Sequence, residues 1–152
     1  MNKEENEELK KFHNYMAIKL FNDTWELLDK SDRSPEEDML MIHTAHASLF
    51  HWLQFGQAKN FSIGEWQISR VYADLNMGES ALKHGLANVD LCLKNKLTGF
   101  ELGYAYESVA RAYKILANET EKERYLKKAN SEAELISDAE EKEYLISDLK
   151  TI

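Results

Sequence analysis

The chain has 152 residues, a formal net charge of −8 and only six glycines and one proline. Average usage would place roughly 18 Gly and Pro residues in such a chain, and sandwiches or barrels need them for many tight turns, so an all-β architecture is excluded. The acidic balance, with a pI near 5.2, argues against a nucleic-acid phosphate footprint, which requires clustered Lys and Arg.

The predicted elements are all helices. The first covers residues 7–29, where Phe12, Tyr15, Met16, Lys19, Leu20 and Leu27 recur at helical spacing but no clear cap precedes them. Ser34 followed by Glu37, with Pro35 at the first helical position, starts a second helix over 35–55. The stretch 39–58 lacks Asp, Glu, Lys and Arg, yet its three His, two Gln, a Thr and a Ser would be costly in hydrocarbon. It reads as a buried central helix, and no membrane segment is expected. Ser62 with Glu65, Thr98 with Glu101, Thr120 with Glu123 and Ser137 with Glu140 repeat the capping pattern, and a weaker break falls at Asn76–Glu79. These starts predict helices over 62–76, 79–95, 99–117, 120–136 and 138–149.

Short connections make consecutive helices antiparallel neighbours. The expectation is a single all-α domain over 1–152, with hairpins at about 7–55, 62–95 and 99–136 and a C-terminal capping helix over about 138–149.

The chain also repeats itself. ISRVYADL, residues 68–75, aligns with VARAYKIL, residues 109–116: Ile68 with Val109, Ser69 with Ala110, Arg70 with Arg111, Tyr72 with Tyr113 and Leu75 with Leu116. A helix carrying Ala81 and Ala87, or Ala129 and Ala133, follows each copy. A large residue, a small one beside it, an aromatic three further on and alanines in the partner helix resemble the tetratricopeptide repeat. That resemblance implies stacked antiparallel hairpins forming a short solenoid of about seven helices. The offset of 41 exceeds the usual period of about 34, and the repeat-closing proline is missing. AHASLFHW, GEWQISRVYADL with ESALKHG, AYESVARAY and YLISDLKTI together are similar to a group of uncharacterised bacterial proteins, a resemblance that carries no activity.

The tetratricopeptide resemblance places Arg70 and Arg111 in one concave groove, with Trp66 and Glu107 as the equivalent pair one turn earlier. Arginines there would pair bidentately with a carboxylate or phosphate, or else form structural ion pairs with Glu65, Glu101 or Glu107. His43 and His46 lie three apart, and His13 sits on the helix expected to pack alongside, a spacing compatible with zinc or nickel. No HExxH or Glu-x-x-His motif supports a metal, so none is assigned. His51 and His84 have no assigned partner. The tryptophans Trp25, Trp52 and Trp66 read as core, with Trp66 the one placed toward the groove. The single cysteine, Cys92, reads as a small buried hydrophobe in a reducing compartment.

The expected function is a non-enzymatic protein- or peptide-interaction module, cytoplasmic, without cofactor, nucleic acid or membrane contact, and compatible with a homodimer because a short solenoid exposes its ends. MNKEENEELKKF at the N-terminus has no apolar run of the signal-peptide kind. The competing expectation is a small ligand- or metal-binding protein or enzyme, with a pocket lined by His43, His46, Trp66, Arg70 and Tyr72.

Overall fold

The computed structural model describes residues 2–152. Among them every regular element is an α-helix: α1 (Lys3–Leu28), α2 (Pro35–Phe55), α3 (Ala58–Asp74), α4 (Gly78–Lys94), α5 (Phe100–Ile115), α6 (Glu119–Ala133) and α7 (Ala139–Leu149). None is long and apolar enough to cross a membrane.

Five Ser/Thr–Glu starts were expected, and one forms. Ser34 accepts from the Glu37 amide while Glu37 accepts from the Ser34 amide, ahead of Pro35. Elsewhere Asn or Asp takes the cap, since these side chains accept from the first-turn amides as well as Ser or Thr do. Asn2 caps α1 in a reciprocal pair with Glu5 at 2.8 Å, Asn118 caps α6, and Asp138 caps α7. Helix α3 starts four residues before the expected Ser62. Asn60 accepts from the Gln57 amide there, and Ser62 is buried against the Cys92 thiol. Helix α5 opens from Gly99, whose φ of 65° favours glycine, rather than from Thr98.

The helices pair as antiparallel hairpins. Ala17 lies across from Ser48 and Thr24 from Thr44 in α1–α2; Ser69 lies across from Ala81 and Ser62 from Cys92 in α3–α4. In α5–α6, Gly99 meets Glu132 and Tyr106 meets Tyr125. Along the stack α1 lies against α3, α3 against α5 and α5 against α7, while the backbones of α2, α4 and α6 stay apart and His46 of α2 reaches His84 of α4 through side chains alone. The stack therefore curves, with α1, α3, α5 and α7 on its inner side. The molecule is a short all-α solenoid of helical hairpins.

The repeat is visible in the packing. Ile68 and Val109 are both fully buried, and so are Ser69 and Ala110 beside them. The small residue lets the hairpin close: the Ser69 hydroxyl donates to the Ala81 carbonyl at 2.8 Å. Both copies then end alike. The Met77 amide reaches back to the Tyr72 carbonyl and the Asn118 amide to the Tyr113 carbonyl, around Asn76 and Ala117 at φ 58° and 55°. The α4–α5 connection repeats this turn with Lys96 at φ 55° and the Leu97 amide on the Cys92 carbonyl. Such a 6→1 closure normally carries glycine at the left-handed position.

Two apolar clusters form the core. Met41, Ala45, Leu49, Ile68 and Val71 join α2 to α3, and a larger group including Cys92, Leu102, Ala105, Ala129, Ala133 and Leu145 joins α4 through α7. The central helix is α5, buried continuously from Leu102 to Ala110, whereas α2 was expected in that place. Helix α2 instead belongs to the terminal hairpin and leaves Met39, Leu40, Phe50 and Leu53 more than half exposed. A charge-free stretch measures hydropathy, not position: α5 keeps Glu107 inside because its charge is paired there. Arg33, whose role was not anticipated, ties the α1–α2 loop down. Its guanidinium donates to the Leu27 and Lys30 carbonyls and pairs with Asp38 and, across to α3, Asp74.

Candidate functional site

The inner side of the stack is organised around Glu107, which is fully buried on α5. Removing a carboxylate from water costs several kcal/mol unless it is paired and hydrogen-bonded. Two hydrogen-bond donors and a second guanidinium converge on it. One oxygen accepts from Arg111 Nε at 2.7 Å and lies 3.6 Å from Arg70 Nη1; the other accepts from the Trp66 indole N–H at 2.9 Å. The second Arg111 arm reaches the Asp148 carbonyl and the Thr151 hydroxyl, fastening the C-terminal turn to α5. The four residues expected in the groove, Arg70, Arg111, Trp66 and Glu107, thus meet in one network. Its geometry shows both guanidiniums turned onto Glu107.

Above this network lies a cleft of about 480 Å³ bounded by all four inner helices and by Trp52 of α2. Its wall is a continuous row of rings. Trp52 contacts Phe21 at 5.5 Å between centroids, Phe21 contacts Trp25 at 6.4 Å, Trp25 contacts Trp66 at 5.7 Å, Trp66 contacts Tyr104 at 5.0 Å, and Tyr104 contacts Phe100 at 4.9 Å. Successive planes are inclined by 40° to 74°, so the rings form facing walls and not a flat stack. The charged residues among the lining are Glu101 and Asp148, both acidic. Tyr104 donates its hydroxyl to Asp148 at 2.9 Å, and burial, reinforced by that carboxylate, pushes the phenol well above its usual range. Glu101 pairs at 3.2 Å with the exposed Lys59.

The histidines divide into separate groups. His13 faces His51, ring nitrogen to ring nitrogen at 2.8 Å. His46 bonds the Tyr72 hydroxyl at 3.0 Å and meets the edge of His84, which in turn pairs with Glu65 at 2.6 Å. Burial, then the neighbouring His84 charge, lowers the His46 pKa. His43 is exposed on the outer face of α2. His13, His43 and His46 therefore do not share a site, because antiparallel pairing sets residue 13 against 51 while 46 turns toward α3 and α4. Among the described residues no three His, Cys, Asp or Glu side chains gather as a metal site would require. Of the five residues expected around one pocket, Trp66 alone lines the cleft; His46 pairs with Tyr72 elsewhere.

Phe21, Trp25, Trp52, Phe100, Tyr104 and Asp148 were not anticipated at the site. A signal was present: Trp25, Trp66, Glu107 and Asp148 follow one another at intervals of 41, the offset of the repeat. They occupy one register position on α1, α3, α5 and α7 in turn. No family model matches the chain, and neither curated proteins nor solved structures give a significant match.

Proposed function

We propose that the protein is a non-enzymatic interaction module of tetratricopeptide-like design that receives a side chain or short segment of a protein or peptide partner in the inner cleft. The observation that carries this reading is the row of six rings along a cavity of about 480 Å³. Its volume falls within the range of roughly 300–1,000 Å³ typical of ligand sites, and apolar walls with a few polar groups suit recognition. The ionisable groups beneath it are engaged with one another, which favours a rigid binding surface over proton transfer. The unpaired, buried Cys92 suits a reducing, cytoplasmic setting. The exposed apolar face of α1–α2 suits a second copy of the chain.

Selection of a random peptide library on the immobilised protein tests the reading. Enriched peptides are expected to lose binding to Ile63→Arg, which puts a long charged side chain into the cleft. Peptides that bind this variant and the parent equally well would overturn it.

A further inference from the structure

We infer that the cleft takes an alkylated ammonium cation, a trimethylammonium group above all. This rests on the binding-module reading and names the chemistry it recognises. Seven of the thirteen lining residues are aromatic, and the two charged ones, Glu101 and Asp148, are carboxylates; no Lys, Arg or His lines the cavity. An anion would meet the carboxylates of Asp148 and Glu101, and the cations nearby are taken, Lys59 by Glu101 and Arg70 and Arg111 by Glu107. A neutral apolar group would draw nothing from those carboxylates. A cation gains from both, since ring quadrupoles attract positive charge at their faces and the carboxylates supply the countercharge. The net charge of −8 draws such a ligand in from a distance.

The polar inventory then separates one kind of cation from another. A primary ammonium brings three N–H donors that each need an acceptor in a dry site. Here one oxygen of Asp148 already accepts from Tyr104, one of Glu101 pairs with Lys59, and the Ser62 hydroxyl is held by Cys92, which leaves few acceptors against seven aromatic rings. A quaternary ammonium has no N–H to satisfy, and its methyl shell packs against the indoles of Trp25, Trp52 and Trp66.

Calorimetric titration of the parent protein with choline and with its uncharged carbon isostere, in which a tert-butyl group replaces the trimethylammonium, tests this directly. Choline is expected to bind at least about tenfold more tightly than the isostere, the scale of a desolvated cation–π contact. Asp148→Asn, which is isosteric, is expected to narrow that preference, and Trp25→Leu to abolish choline binding while far-UV circular dichroism stays unchanged. A peptide bearing trimethyl-lysine that binds more tightly than free choline identifies a partner side chain as the source; the reverse order identifies a free small molecule. Equal affinity for choline and isostere, or binding of neither, overturns the cation assignment. Binding of cleft-dependent library peptides in that same event leaves the interaction module standing, so the two failures are distinguishable.

Discussion

Replacing Glu107 with Gln removes one charge from a site with no solvent access and leaves two guanidiniums around a neutral amide. Breaking a buried pair by deleting one partner is far more costly than the pair's own net stabilisation, so Glu107→Gln is expected to lower stability by about 3 kcal/mol in urea denaturation. Trp66→Phe removes one indole donor and leaves both arginines in place; a loss of about 1 kcal/mol is expected. The reverse sign is expected at Ala117, an exposed residue held at φ 55°. The left-handed conformation costs an L-residue roughly 1–2 kcal/mol, while glycine adds about 0.5–1 kcal/mol of backbone entropy to the unfolded chain. The first term is larger, so Ala117→Gly is expected to raise the midpoint of thermal unfolding.

At the scale of elements, helix α7 is fastened by Leu145, buried against α5 where Gly103 has no Cβ to obstruct it, and by the contacts of Arg111 and Tyr104 with the C-terminal turn. Leu145→Ala is expected to cost about 2–5 kcal/mol of local packing. Hydrogen exchange in residues 139–149 should then accelerate more than in α3 or α5. Between α2, α3 and α4, His46 faces Tyr72, Glu65 and His84. Burial keeps it neutral in the folded chain, so the unfolded chain takes up the proton first, and stability falls as pH drops below about 6.5. His46→Gln is expected to flatten that dependence in denaturation curves measured at pH 5 and pH 7.5. The helix number was legible in the sequence because apolar spacing and turn residues act locally. The caps were less so, since a Ser three residues before a Glu also occurs inside a helix, as Ser62 does. The arginine network was legible through the alignment of Arg70 with Arg111. The aromatic wall was not, because Trp25 and Trp52 show the same spacing whether they fill a core or line a cleft.

For the whole molecule, the two ends of the stack differ. One is closed by α7, which presents Glu140, Glu141 and Glu143 outward; the other exposes Phe12, Met39, Leu40 and Phe50 on α1–α2. Unequal ends disfavour head-to-tail growth and favour a two-fold pairing of the apolar end with itself. Light scattering is expected to return the mass of two chains, and Phe50→Glu the mass of one; a single-chain mass for the parent at high concentration would dismiss the pairing.

All three tryptophans of the chain line the cleft, and two of them stand 5.7 Å apart between ring centroids. Indole emission is therefore a local signal, blind to α4 and α6, whereas far-UV circular dichroism sums every helix. The protein thus carries its own two-channel thermometer. If the hairpins melt one after another, as nearest-neighbour stacks can, the optical and dichroic unfolding curves will part, and the gap between them will measure how far the cleft outlasts the rest.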